Sequence, residues 1–277
     1  MIPLIEHLTS AKNPRVLAWR SLKERKGRLA HEAFLAEGDR MAAEALASGF
    51  PVEALLLRSD RFQELSGSTA DSASSLPQEE KADQRIRLAE LPPELPVFVL
   101  PDHVFASLSD TRTPQGVAAV VSLRPRPLRG SRFIALDGVQ DPGNVGTILR
   151  TADAAGLDGV LLSPECADVF SPKVLRATMG SIFRVSLDFP EDLAARLISL
   201  REEGFSVLSS QLDGEPFYAR SGLAEKWVLV IGNEGNGVSP AVRAAATHRL
   251  RLPMRGGAES LNAAIAAGIM MYELMKE

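Results

Sequence analysis

The chain has a single cysteine, Cys166, in 277 residues. That leaves no intrachain disulfide and no zinc site built on cysteines. No apolar run approaches the roughly 20 residues that a membrane-spanning helix needs. The opening stretch, MIPLIEHLTSAKNPR, puts Glu6 and His7 close behind a very short apolar start, so a signal peptide is not expected. A P-loop would need Gly-Lys-Ser/Thr, and a dinucleotide site would need G-x-G-x-x-G. The first is absent, and Gly138, Gly143 and Gly146 have the wrong spacing for the second. A nucleoside-triphosphate enzyme and a nicotinamide dehydrogenase thus lose their best support. No repeat of fixed period is visible. The four histidines, His7, His31, His103 and His248, read as structural or surface residues, and no metal site is expected. Together these absences point to the cytoplasm.

What is present is the composition of a soluble globular protein, 45% apolar and 24% charged. The length suffices for one large or two ordinary domains. The net charge of -4 argues against indiscriminate nucleic-acid binding, but the charge is unevenly spread. Residues 1–30 carry Lys12, Arg15, Arg20, Lys23, Arg25, Lys26 and Arg28 against only Glu6 and Glu24. A second basic stretch, SLRPRPLRGSR (122–132), has Arg124, Arg126, Arg129 and Arg132 with no acid. Clustered cations in an acidic chain are a candidate polyanion footprint. A solvated helix face and a solvated linker would have the same composition.

Two halves are expected. In the first, 1–122, AFLAEGDRMAAEALASGFPVEALLLRS reads as strand, turn at Gly38, helix, break and strand. VFVL (97–100) and GVAAVVSL (116–123) are further strands, with a short helix near 102–108. This alternation predicts a small α/β unit. SGSTADSASSLPQEEKADQ (66–84) is nearly free of apolar residues and reads as a mobile surface loop. The Arg/Pro-rich stretch at 123–131 reads as a stiff linker. The second half, 132–277, offers strands at 133–137, 159–163, 183–187, 205–210, 227–232 and 249–252. Helices are expected at 144–155, 172–181, 191–203, 239–247 and 260–275. Apolar runs with little alternation suit a parallel sheet covered on both faces.

Three stretches carry the candidate chemistry. LDGVQDPGNVGTILRTADAAG (136–156) runs from a strand through a turn into a helix. The turn Asp141-Pro142-Gly143 places Asn144 as the helix N-cap. Val145, Ile148, Leu149, Ala152 and Ala155 then form an apolar stripe. Arg150 falls off that stripe, beside Thr147, free to face a ligand. VLVIGNEGNGVSP (228–240) ends a buried strand in three glycines within six residues. Such a loop lets backbone approach a ligand closely, and Glu234 within it could pair with a cation or accept a proton. LRLPMRGGAESLNAAIAAGIMMYEL (250–274) places Ser260 as the cap of a long apolar helix, with Ser260 and Asn262 in its first turn.

In this order and spacing the three stretches resemble the signature motifs of the SpoU (TrmH-type) RNA 2′-O-ribose methyltransferases, of the SPOUT class. The resemblance covers essentially all of 131–277 and includes SPKVLRATMGSIFRV (171–185). FLAEGDRMAAEAL (34–46), after a basic N-terminal helix, resembles the small ribosomal-protein-type RNA-binding domain that precedes the catalytic domain in many members. The resemblance implies a Rossmann-like α/β catalytic domain ending in a trefoil knot. It implies S-adenosylmethionine as methyl donor, held by Gly232, Asn233, Gly235, Leu252, Met254, Ser260 and Leu261. It implies a homodimer and transfer to a ribose 2′-hydroxyl in structured RNA, ribosomal rather than transfer RNA. Arg150 would contact the RNA phosphate and act on the hydroxyl as general base or electrostatic helper. Asn144 would position Arg150 and the ribose, and Glu234, Ser260 and Asn262 would complete the catalytic pocket. RNA would be gathered by Lys12, Arg15, Arg20, Lys23, Arg25, Lys26 and Arg28. The alternative is a non-catalytic RNA-binding or ribosome-assembly protein on the same fold. Removal of 1–122 is expected to leave donor binding intact and to cut RNA affinity.

Overall fold

The computed structural model describes residues 3–67, 86–124 and 127–276. In chain order the first elements are β1 (Ile5–His7), α1 (Pro14–Ser21), α2 (Arg25–His31), β2 (Ala33–Glu37), α3 (Asp39–Ala47), β3 (Val52–Arg58), α4 (Ser59–Gly67), β4 (Val97–Leu100), α5 (Asp102–Leu108) and β5 (Val117–Ser122). There follow β6 (Arg132–Asp137), α6 (Pro142–Ala155), β7 (Gly159–Leu162), α7 (Pro172–Thr178), β8 (Ser186–Asp188) and α8 (Leu193–Glu202). The last are β9 (Ser206–Pro216), β10 (Trp227–Gly232), α9 (Pro240–Ala245), β11 (His248–Arg251) and α10 (Ala263–Leu274). The chain divides into two compact units, Met1–Arg124 with Phe170–Phe183, and Pro125–Val169 with Arg184–Glu277.

The first unit holds a mixed sheet ordered β1-β4-β3-β5-β2. β5 runs antiparallel to β2 and β3, whereas β4 is parallel to β1 and β3. Helix α1 starts where Pro14 needs no N–H partner and Asn13 Oδ1 accepts from the Arg15 N–H at 2.9 Å. It lays Val16 and Trp19 against Leu56, Phe98, Leu100 and Phe105. The next turn brings α2 so close that a Cβ on Gly27 would lie 2.0 Å from the Ser21 carbonyl oxygen. The sequence placed 171–185 with the second half. The segment 170–183 instead groups with the first unit, where Phe170 and Phe183 pack on Phe34 at ring separations of 5.0 and 6.1 Å.

The second unit is built on a parallel sheet ordered β11-β9-β10-β6-β7-β8. Its central strands are buried along most of their length, as parallel strands covered on both faces must be. Phe133, Ala135, Val228 and Val230 face Leu193, Leu197 and Leu200 of α8 and Val242 of α9. Residues of opposite parity, Ile134, Leu136 and Leu229, are also fully buried and turn to the other face. α6 contributes Val145, Ile148, Leu149 and Ala152 to the core, each with no exposure, at about 1.5–3 kcal/mol for each of the larger side chains. α10 packs against it.

Several expected boundaries differ. FRVSL (183–187) has the pattern of one strand, but Ser181–Phe183 forms a 3₁₀ turn and the strand begins at Ser186. The strand expected at 205–210 runs to Pro216. The helix expected at 172–181 stops at Thr178, where Met179 takes φ 51°. Within the expected loop at 66–84, Ser66 and Gly67 close α4, and the rest lies outside the described residues.

Candidate functional site

Three loops follow the carboxyl ends of β6, β10 and β11, where parallel α/β sheets place their ligand sites. Each is folded by its own polar residues before it meets the others. In the first, Asp141 is the N-cap of α6: its Oδ1 accepts from the Asn144 N–H at 2.8 Å, and Pro142 stands at the first helical position. Asn144, expected as the cap, lies instead in the first turn. With its own N–H satisfied by Asp141, its side chain is free to bond elsewhere.

The second loop is a tight hairpin. Asn233 and Gly237 exchange backbone hydrogen bonds, both 2.9 Å. A Cβ on Gly232 would lie 2.2 Å from the Gly237 carbonyl carbon, so this strand end tolerates only glycine. Asn233 Oδ1 accepts from the N–H groups of Gly235 and Asn236 at 3.0 Å. Asn233 Nδ2 donates to the Gly138 carbonyl at 2.8 Å, which fastens the second loop to the first. Asp137, a residue the sequence did not flag, is buried and accepts from the Ser239 N–H at 2.6 Å.

In the third loop the cap of α10 is Asn262, not Ser260. Its Oδ1 accepts from the N–H groups of Ala264 and Ile265 at 2.9 and 3.2 Å. Ser260 precedes the helix. Asn262 Nδ2 remains, and it donates to Asn144 Oδ1 at 2.9 Å. Asn144 Nδ2 in turn donates to Glu234 Oε1 at 2.9 Å. A chain of side-chain bonds, Asn262 to Asn144 to Glu234, therefore ties the three loops together.

Glu234 also accepts from the backbone N–H of Gln140 at 3.2 Å and of Asp141 at 3.1 Å. Partial burial pushes its carboxyl up. The Asn144 amide and the backbone N–H groups outweigh that, and the group sits below the usual glutamate range. A carboxylate so held is a structural acceptor and a weak base.

Beside this chain of bonds opens a cavity of about 750 Å³. It is lined by Gly232, Asn233, Gly235, Leu252, Met254, Ser260 and Leu261, the residues singled out for the methyl donor, and by Glu234 and Asn262. Arg150 does not line it. Six residues beyond Asn144 on α6, Arg150 lies about 9 Å further along the axis, exposed, its side chain without hydrogen bond or ion pair among the described residues. Among the described residues no cluster of His, Cys, Asp and Glu is arranged for a metal, and no helix is long and apolar enough to cross a membrane.

Of the cations singled out on the first 30 residues, Lys12, Arg20, Arg25 and Lys26 are exposed and Lys23 is half-buried. Arg15 is exposed but committed, with an ion pair to Glu6 at 2.6 Å and its guanidinium 5.1 Å over the Phe98 ring. Arg28 corrects the expectation. It is 4% exposed and donates to the carbonyls of Leu22 and Lys23, both at 2.7 Å. It closes the end of α1 and presents no charge to a ligand.

The SpoU rRNA Methylase family matches residues 131–272, and the MRM3-like substrate binding domain matches residues 13–119. The chain is 35% identical over 271 residues, 98% of its length and 99% of the relative's, to 23S rRNA (guanosine(2553)-2'-O)-methyltransferase RlmP of Bacillus subtilis (strain 168). The AdoMet-bound rRNA methyltransferase from Sinorhizobium meliloti superposes with a TM-score of 0.79 at 30% identity, covering 98% of each chain. The SpoU methyltransferase AviRb from Streptomyces viridochromogenes, in complex with AdoMet, superposes with a TM-score of 0.78 at 26% identity, covering 96% of this chain and 98% of that one.

Proposed function

The chain belongs to the SpoU rRNA methylase family, and from that premise we propose that it transfers a methyl group from S-adenosylmethionine to a ribose 2′-hydroxyl of ribosomal RNA. A guanosine in 23S rRNA, the target named for the Bacillus subtilis relative, is the first candidate. The observation that carries the reading is the bond chain Asn262–Asn144–Glu234, which gathers the three motif loops around one cavity.

The cavity fits the cofactor. Its volume of about 750 Å³ is that of a small-molecule site. Ile231, Val238, Leu252 and Leu261 give it apolar walls for a purine, and Asp213 and Glu259 give it carboxylates for a cationic ligand. Gly232, Asn233, Gly235, Leu252, Met254, Ser260 and Leu261 would hold the donor, largely through backbone. Bound there, S-adenosylmethionine supplies an electrophilic methyl group on a positively charged sulfur.

The chain's own residues supply orientation. Glu234, anchored by two backbone N–H groups, fixes Asn144, and Asn144 fixes Asn262 at the mouth of α10. The Arg150 guanidinium grips an RNA phosphate and stabilises the negative charge that grows on the 2′-oxygen as the hydroxyl proton passes to water. Lys12, Arg20, Lys23, Arg25 and Lys26 of the first unit attract the RNA, and residues 1–122 act as its substrate-binding domain.

The reading extends to the assembly. Ile265, Ile269 and Tyr272 leave an apolar stripe on α10 exposed, which a second copy of the chain covers in a homodimer. The return of the chain from edge strand β11 to α10, packed on α6, is the segment that closes the trefoil knot. The enzyme works in the cytoplasm.

The test is transfer of labelled methyl groups to unmodified ribosomal RNA by the wild-type protein and by Arg150→Ala. Ribose-labelled product from wild type, with a loss of at least about a hundredfold in the variant, supports the assignment. Donor binding without transfer to any RNA would favour the non-catalytic RNA-binding reading.

A further inference from the structure

The parallel pairing of β9 with β11 is interrupted. Ser209 pairs with Arg249, and the register resumes only at Glu215 with Leu250. Pairing of β9 with β10 also ends at Ser209, so residues 210–214 bulge out where both neighbours let go. The bulge is pinned at its far end. A Cβ on Gly214 would lie 2.6 Å from the Arg249 carbonyl group, so only glycine can return the chain to the sheet there. A bulge held this tightly re-aims side chains, and Ser210, Gln211, Leu212 and Asp213 all line the 750 Å³ cavity.

Gln211 stands apart among them. It is 6% exposed, its Nε2 donates to Ser209 Oγ at 2.7 Å, and its Oε1 has no partner among the described residues. The other buried side-chain atoms in that condition are arginine Nε groups; Oε1 is the acceptor among them. A buried carbonyl without a donor is costly, and at the wall of a ligand cavity it marks a place where the ligand brings the donor.

We propose that Gln211 Oε1 accepts a hydrogen bond from the 6-amino group of the donor's adenine, making Gln211 a determinant of cofactor specificity. The assignment rests on the S-adenosylmethionine reading of the cavity. A neutral acceptor in a dry position suits a neutral donor. An ammonium group would give up its hydration for one carbonyl, while Asp213 and Glu259 offer it full charges on the same cavity. The flat purine also suits the neighbouring apolar wall of Ile231, Val238 and Leu252.

The test is calorimetric titration of the full-length protein with S-adenosylhomocysteine and with its analogue bearing hydrogen in place of the 6-amino group. Wild type is expected to prefer the amino compound by roughly tenfold. Gln211→Met, which keeps length and removes the acceptor, should bind both alike. Gln211→Glu, which keeps an acceptor oxygen, should retain the preference. Each ratio is internal to one protein, so a change in overall affinity or Tm does not mimic the result. No preference in wild type, an undiminished preference in Gln211→Met, or its loss in Gln211→Glu would overturn the assignment of Gln211 alone. Failure of wild type to bind either compound would overturn the cofactor reading and this one with it.

Discussion

Asn144 has a single amide and uses both ends of it, Nδ2 toward Glu234 and Oδ1 toward Asn262. Aspartate there would keep the acceptor but set a carboxylate against Glu234, and alanine would cut both links. The pH dependence of the alanine variant separates them. Glu234 sits below its ordinary range in the folded protein, in part because Asn144 donates to it. A carboxyl lowered on folding contributes stability that is present above its unfolded value, near 4.3. That contribution is lost as pH falls through the lower folded value. Asn144→Ala lets the folded value rise, so part of the stability gap between the two proteins exists only while Glu234 is ionised. We expect Asn144→Ala to be less stable by about 1–2 kcal/mol at neutral pH. The share belonging to the Glu234 charge is well under 1 kcal/mol, because that carboxylate faces solvent. Urea denaturation at neutral pH and near pH 3 checks this: the gap should narrow on acidification. A constant gap would assign the whole loss to Asn262 and packing.

At the scale of elements, strands such as β6, β7 and β10 were legible because parallel strands buried on both faces are short, unbroken apolar runs. Helix starts were less so. Asp141, Asn144, Ser260 and Asn262 are all chemically able to cap, and only geometry chose Asp141 and Asn262; Pro142, which favours the first helical position, was the available clue. β1 is three residues with no buried position, too short for any periodicity. Bonds joining residues 90 and 118 apart in sequence leave no local trace, so the site's residue types could be singled out without their contacts. α10 shows the same limit. Its composition is apolar nearly all round, yet Ala264, Ala267, Met270, Met271 and Leu274 are buried while Ile265, Ile269 and Tyr272 are 55%, 37% and 50% exposed. The exposed three recur at intervals of four and three, one face of a helix. If a second copy covers that face, Ile265→Asp with Ile269→Asp should turn a dimer into a monomer in sedimentation equilibrium while leaving Tm within a few degrees. A wild-type protein that sediments as a monomer at micromolar concentration would remove the dimer from the proposal.

For the molecule as a whole, the chain passes between its two units at 124/125, again at 169/170 and again at 183/184. A single linker near 123–131, as the sequence suggested, would let the first 122 residues be removed cleanly. The segment 170–183 makes that cut a different operation. Within the first unit Phe183 packs against Phe34 and Phe50, Phe170 against Phe34, and Arg176 pairs with Asp110 at 3.1 Å. Val174, Leu175, Ile182 and Phe183 are nearly or fully buried. Nothing local announces this: SPKVLRATMGSIFRV has the ordinary look of a helical crossover, and its burial depends on aromatics more than a hundred residues away. Deleting 1–122 alone strips those side chains of their partners and leaves an apolar segment facing water, a liability for aggregation. We therefore expect the protein lacking 1–122 to be poorly soluble. A version that also replaces 171–182 with a short polar loop should recover solubility and bind S-adenosylhomocysteine within about threefold of wild type, because every residue lining the cavity lies in the second unit. Its affinity for ribosomal RNA should fall, and its salt dependence should flatten as the cations of α1 and α2 are lost. If the simple deletion proves as soluble and as stable as the doubly altered protein, the segment 170–183 does not depend on the first unit, and the single-linker description is restored.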